Sequence, residues 1–454
     1  MPIDFTLLES HILERMRETR TPGLSISVVS GNQVVYSKGF GFSDVASGLA
    51  ATPRTLYGIG SVTKSFTALA IMQLVGEGKI RLTDPVEKFV NGVPRVFNEP
   101  PSIHHLLTHS SGLPALGYGE AFINSVLGID NSWLPIVNVE DIITFMRDAQ
   151  DWAVSKPGER FFYLNEGFAI LGHIISKLSG MTYEEYVDKK ILTPLGMDRT
   201  FFAKADVEKD NDKATPYIID REGRHVASSM PYGITSDGGI VSNVLDLANY
   251  IRMCINSGEY EGTRIVDKKL FDLMEETHIR LPYEGWGKDS YGYGWSVAPK
   301  VLGHKLVDHG GSVGVYTAYA GYMKDARIGV AVLGNPSAYL PSNVGKFALA
   351  TLLGEDPKTL PFVKRERILE KLQGQYETYK GTMKISIKKK GDFLIAEIKD
   401  KYTEEIIPLV PDRLEEDHAT FTTLSEGIKY TTEFAVKNGK TEWIYERYKA
   451  RKKG

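Results

Sequence analysis

Tyr57-Gly58-Ile59-Gly60-Ser61-Val62-Thr63-Lys64-Ser65-Phe66, residues 57–66, is the stretch on which the fold turns. It leads from a glycine-rich approach into a segment (Val62, Phe66, Leu69, Ile71, Leu74, Val75) that is apolar on most of its circumference as far as Gly76 and Gly78. That pattern predicts a helix buried inside the protein, with Ser61 at its start. Lys64 lies three positions after Ser61, so on a helix the hydroxyl and the amine share a face and can exchange a proton. A serine hydroxyl is a poor nucleophile near neutral pH until a base takes its proton, and a lysine in a dry pocket can be that base. Backbone N–H groups at the helix start also aim at developing negative charge. The same spacing fits an N-cap followed by a solvated lysine, so residues elsewhere must decide.

Upstream, Phe5–Arg17 reads as an amphipathic helix, and Leu24–Ser30 and Gln33–Lys38 as β-branched strands joined across Gly31 and Asn32. Downstream, Val139–Arg147, Glu166–Leu178, Tyr183–Lys190 and Val244–Ile255 are helical in pattern, separated by loops rich in Gly and Pro, and form a helical lobe. Strand character returns at Val313–Met323 and Ile328–Leu333, and Asn343–Leu353 closes the region as a helix. One sheet can thus collect strands from both ends of residues 1–353. Residues 354–370, charged and carrying two prolines, read as a linker. Beyond it, in 371–454, alternating strands recur at roughly ten-residue spacing, with a turn at Gly391, as in a small antiparallel barrel. The expected class is α+β: an antiparallel sheet flanked by helices plus a helical lobe, followed by a small C-terminal antiparallel β-barrel.

Two more elements stand in order behind Ser61 and Lys64. Tyr163-Leu164-Asn165 precedes an apolar helix and follows Lys156-Pro157-Gly158, and His309-Gly310-Gly311-Ser312 comes before a strand near the end of the first region. With these pieces residues 5–353 resemble the penicillin-recognising serine hydrolases (class C β-lactamases, DD-peptidases and the related esterases and D-amino-acid-directed peptidases), whose pattern is S-x-x-K, Y-x-N and [KH]-[TSG]-G. His105-Leu106-Leu107-Thr108-His109-Ser110-Ser111-Gly112-Leu113-Pro114, Pro194-Leu195-Gly196-Met197 and Gly238-Gly239 support the match.

The resemblance implies that Ser61 is the acylated nucleophile, that Lys64 or Tyr163 is its general base, and that Asn165 donates a hydrogen bond to substrate. It implies further that the backbone N–H groups of Ser61 and Ser312, beside Gly311, form the oxyanion hole. His309 stands where the β-lactamase form has lysine, replacing a permanent cation with a group that can titrate near neutral pH and shuttle a proton. Pairing this domain with a C-terminal lipocalin-like barrel is similar to D-aminopeptidases and related family S12 peptidases. The function expected by that analogy is a serine peptidase acting on small peptides and accepting or preferring D-residues. The alternatives are a cytoplasmic esterase or β-lactamase-like hydrolase, or a non-catalytic protein that retains the fold and binds an apolar ligand.

Other chemistries find less support. Gly310-Gly311-Ser312-Val313-Gly314 matches the G-x-S-x-G elbow, but an elbow needs a helix after its serine and Val313–Met323 reads as a strand. His105 and His109 lie one helical turn apart, yet there is no H-E-x-x-H, so a packing role is expected for the His104, His105 and His109 group and neither metal nor cofactor is expected. Cys254 is the only cysteine; it reads as an apolar filler, excludes an intrachain disulfide and suits a reducing compartment. With 54 basic and 57 acidic residues the net charge is -3, which lacks the basic footprint of nucleic-acid binding. Asp4 and Glu9 stand where an export signal would be basic and then apolar, and no apolar run reaches membrane-spanning length, so a cytoplasmic protein without membrane attachment is expected. Scarce Gln beside plentiful Lys and Glu is a thermophile's balance, and homo-oligomerisation is expected as a way to enclose the site.

Overall fold

The computed structural model describes residues 3–129, 136–233, 235–335, 340–437 and 439–453. The described chain forms two compact units, Met1–Glu355 and Asp356–Gly454. In the first, nine strands form one antiparallel sheet in the order Ile279–Arg280, Ser290–Tyr291, Ser296–Val301, His304–Ser312, Thr317–Met323, Ile328–Asn335, Gly23–Ser30, Gln33–Asp44 and Leu49–Ala50. The N-terminal hairpin therefore pairs directly with the last strand of the unit, Ile26 opposite Val332 and Val28 opposite Val330. Thr317–Met323 and Ile328–Asn335 are buried along their whole lengths because helices cover the sheet there. The helices Thr6–Thr19 and Leu340–Leu353 stack through the rings of His11 and Phe347.

The helix Thr63–Gly76 runs through the apolar core of this unit. Phe66, Leu69, Ile71 and Leu74 are wholly buried among residues of the helices Asn165–Ser179 and Val244–Ile255. A helix apolar on every side has no surface to give to water, which is how its sequence read. One strand escaped that reading. His309 lies inside a strand, His304–Ser312, whose sequence is mostly polar and small residues, with Leu306 and Val307 its only buried apolar pair, instead of a β-branched run. Val313–Tyr316 turns back into Thr317–Met323, so Ser312 is followed by a strand and makes no nucleophile elbow.

The second unit is a closed eight-stranded antiparallel barrel, with Tyr376 of its first strand opposite Lys452 of its last. Ile385, Leu394, Leu409, Phe421, Phe434 and Trp443 fill the interior. The segment 354–370, expected as a linker, carries the helix Pro361–Leu372. Pro361 sits in the first turn, where a missing N–H costs nothing, and Ile368, Leu369 and Leu372 join the barrel's apolar cluster. Among the described residues no helix is long and apolar enough to cross a membrane.

Candidate active site

Ser61 sits in a short 3-10 turn, Gly60–Val62, that runs into the buried helix. Gly60 has φ +51°, and a Cβ there would fall 2.5 Å from the Ser312 nitrogen; a Cβ on Gly311 would fall 1.9 Å from the Ile59 carbonyl oxygen and 3.1 Å from the Ser61 nitrogen. Only two glycines let these backbones touch, and the contact brings the amides of Ser61 and Ser312 side by side. The strand Ser296–Val301 stops at the pairing of Ser296 with Asp308. Residues 309–312 therefore meet the Ser61 turn where a neighbouring strand would otherwise lie.

Lys64 is wholly buried and its ammonium has three acceptors: Ser61 Oγ at 3.2 Å, Asn165 Oδ1 at 2.7 Å and the Asp237 carbonyl at 2.7 Å. Its nitrogen also lies 4.8 Å from the centre of the Tyr163 ring and 5.5 Å from that of Phe168. Asn165 begins the helix Asn165–Ser179, which fixes its Oδ1 toward Lys64. Its Nδ2 faces Gly119, where a Cβ would stand 3.2 Å away. Tyr163 Oη is buried and makes no hydrogen bond among the described residues. The ring of His109 stacks on Tyr163, centroids 4.1 Å apart.

His309 is buried, and both its ring nitrogens are engaged. Nδ1 contacts the Gly310 carbonyl at 2.6 Å and Nε2 contacts Tyr291 Oη at 2.9 Å. A carbonyl can only accept, so Nδ1 carries the proton and Tyr291 donates its hydroxyl to Nε2. Burial, with a smaller push from Lys64, lowers the His309 pKa to about 4. Near neutral pH the ring is uncharged and bonded inward, a different arrangement from a freely titrating shuttle.

Two cavities meet at Ser61. One, of about 310 Å³, has Asn165, Asp237, Gly238, Tyr118, Phe122 and Val313 in its wall; the other, of about 750 Å³, has Tyr163, His309, Gly310, Gly311, Glu120 and Ser342. Thus Ser61, Lys64, Tyr163, Asn165, His309, Gly311 and Ser312 are brought together from three separate segments.

Several residues at this site were not singled out by their sequence. Asp237 Oδ2 accepts from Tyr118 Oη at 2.6 Å, and Glu166 Oε1 accepts from the Tyr118 N–H at 3.3 Å. Burial raises the pKa of both carboxyls, that of Glu166 to about 7. Asp237 adjoins the noted Gly238-Gly239 and Glu166 adjoins Asn165, but a carboxylate beside a motif carries no signal of its own burial. His109, for which a packing role is expected, stacks on Tyr163 with a non-glycine φ of +54°, a backbone conformation that Thr108-His109-Ser110-Ser111 does not spell out.

Comparison with known proteins agrees with this geometry. A family model described as Beta-lactamase matches residues 8–354, and one described as Pab87 octamerisation domain matches residues 357–451. The solved structure of the octameric penicillin-binding protein homologue from Pyrococcus abyssi is 53% identical, with a TM-score of 0.95 over 99% of this chain and 100% of that chain. The D-stereospecific amidohydrolase from Streptomyces sp. shares the fold, at 22% identity and a TM-score of 0.61 over 75% of this chain and 98% of that one. Protein flp of Staphylococcus aureus (strain COL) is 28% identical over 345 residues, 74% of this chain, and the match spans 64% of that protein's length. With residues 8–354 matched, and with Ser61, Tyr163 and His309 lining the two cavities while Lys64 is bonded to Ser61 Oγ from behind, the chain belongs to the beta-lactamase family of serine hydrolases.

Proposed function

We propose that this protein is a serine peptidase that hydrolyses small peptides through an acyl-enzyme on Ser61, accepting or preferring D-residues. The observation that carries the reading is the set of three acceptors around Lys64. As an ammonium, Lys64 donates to all three. As an amine it keeps the two bonds to Asn165 and Asp237 and accepts the Ser61 hydroxyl along its lone pair, so proton exchange with Ser61 needs no rearrangement.

Lys64 takes the Ser61 proton as Oγ bonds to the substrate carbonyl carbon. The oxyanion is held by the adjacent amides of Ser61 and Ser312, which Gly60 and Gly311 bring together. Proton return to the leaving amine passes through Tyr163, which has no hydrogen bond of its own among the described residues, and the C–N bond breaks. Water then repeats the steps on the ester and frees Ser61. Asn165, its Oδ1 held by Lys64, offers Nδ2 to the substrate. His309 positions Tyr291 and the strand edge as a neutral ring.

The preference for D-residues is supported by the shared fold of the Streptomyces amidohydrolase, and the peptide reading by the presence of a C-terminal barrel in the same chain as the catalytic unit. Match of the second unit to an octamerisation domain, and the octameric state of the Pyrococcus abyssi relative, support a homo-octamer. The same relative and the Lys- and Glu-rich composition support a thermophilic source, and the lone buried Cys254 a reducing cytoplasm. The test is hydrolysis of short L- and D-peptides against p-nitrophenyl esters: peptide cleavage with a D-preference is expected, and turnover of esters alone would transfer the assignment to an esterase.

A further inference from the structure

The two cavities on Ser61 differ in chemistry, and the helix Tyr118–Leu127 is the ridge between them. Tyr118, Gly119, Phe122 and Ile123, on one helical face, line the smaller cavity; Glu120, on another, lines the larger. Beside Phe122 and Ile123 the smaller cavity has Ile136, Val137, Tyr232 and Val313, an apolar wall. The larger cavity has polar and small residues and a single charged one, Glu120.

The direction of a substrate across Ser61 follows from the proton donors. A leaving amine must collect a proton, and Tyr163 lines only the larger cavity, whereas Asn165 lines only the smaller. The leaving portion therefore occupies the larger cavity and the acyl portion the smaller.

Neither cavity has a lysine or arginine in its described walls. Lys64 stands behind Ser61 with its three bonds made, and His309 is bonded inward through both nitrogens. Glu120 is exposed and has no ion pair among the described residues. Its field reaches Asp237 and Glu166, where it adds to the effect of burial. A negative group on the leaving portion would meet this carboxylate with no cation to offset it.

We infer that the substrate has an apolar acyl residue and a cationic leaving portion, and that Glu120 is the residue that selects the cation. This rests on the reading of Ser61 as nucleophile, and it names the substrate class for that site. The cation is an ammonium or guanidinium; a lysine-type or an arginine-type side chain would supply it equally, and the two are separate arms of the test.

The test measures kcat and KM for dipeptide amides with one constant apolar acyl residue, in L and D series, followed by Lys, Arg, Gln or Glu. Wild-type protein should favour Lys or Arg over Glu by about tenfold in kcat/KM, chiefly through KM, and lose that preference as salt is raised. Glu120→Gln should level the series and Glu120→Lys should invert it. An equal rate on all four by wild-type protein, or a preference that survives in Glu120→Gln, would overturn the proposal. If no peptide amide is cleaved, a choline ester against its uncharged 3,3-dimethylbutyl isostere reads the same ratio at an ester carbonyl, so failure of the peptidase reading leaves this one decided. Fluorophosphonate labelling of Ser61 in each variant reports an intact site; its absence from wild-type protein would remove the nucleophile and this proposal with it.

Discussion

Tyr291 donates its hydroxyl to His309 Nε2 at 2.9 Å, and so the histidine of the third motif is occupied from within the protein. A proton added to this ring must break that bond and place a second charge near Lys64. The His309 pKa of about 4 lies below the ordinary value of 6.5, so the unfolded chain takes up the proton first as pH falls. Stability from this residue is complete above pH 6.5 and is lost as pH falls toward 4, by up to about 3 kcal/mol. His309→Gln should flatten that part of the curve of stability against pH, measured by urea melts from pH 7 to 4. An unchanged slope would contradict the assignment.

Glu166 gives the opposite sign. Its buried carboxyl has a pKa raised from 4.5 to about 7, so the folded state holds a proton that the unfolded state releases. Stability falls as pH rises from 4.5 through 7, by up to about 3 kcal/mol. Glu166→Gln keeps an acceptor for the Tyr118 N–H and removes the titration. Its Tm should be close to wild type at pH 5 and should exceed it progressively toward pH 8, as read by calorimetry. A difference that does not change with pH would rule this out.

The backbone contact at Gly311 has a kinetic consequence. A Cβ there would lie 1.9 Å from the Ile59 carbonyl oxygen, so Gly311→Ala must part the strand from the Ser61 turn. The two amides then no longer converge, and the loss should fall on kcat by about 10²- to 10³-fold, with a smaller change in KM. Steady-state kinetics on one ester substrate separates the two; a change confined to KM would contradict the role of these amides.

The barrel exposes apolar side chains on adjoining strands. Ile406, Val410 and Leu424 are 58%, 54% and 65% exposed, while Ile407 and Leu409 between them point inward. Such a patch on a free surface marks an interaction site. On the proposal that the protein is a homo-octamer, Val410→Asp combined with Leu424→Asp should yield smaller species than wild type in sedimentation velocity. An unaltered sedimentation profile would move the contact elsewhere.

Much of this architecture was readable from residue patterns. The buried helix after Ser61 was legible because an all-round apolar segment has one stable setting, and the barrel because period-two alternation between turns is hard to mimic. The strand His304–Ser312 was not, since its pairing is set by the backbone of its neighbours and its own residues are poor β-formers. At the site, Ser61, Lys64, Tyr163, Asn165 and His309 stand in short motifs. By contrast Asp237, Tyr118 and Tyr291 act through contacts between segments far apart in the chain, which no local spacing encodes. The helix Pro361–Leu372 was hidden by its charges, because its apolar stripe of Ile368, Leu369 and Leu372 is narrow.

The whole mechanism depends on the proposed role of Ser61 as the nucleophile with Lys64 as its base. It is tested most directly by incubating wild-type, Ser61→Ala, Lys64→Ala and Tyr163→Phe protein with a fluorophosphonate probe and with short L- and D-peptides, read by mass spectrometry. One labelled residue, Ser61, is expected, with peptide cleavage abolished in Ser61→Ala and acylation slowed by about 10³-fold or more in Lys64→Ala and less in Tyr163→Phe. Peptide cleavage that survives Ser61→Ala, or a label on another residue, would contradict it.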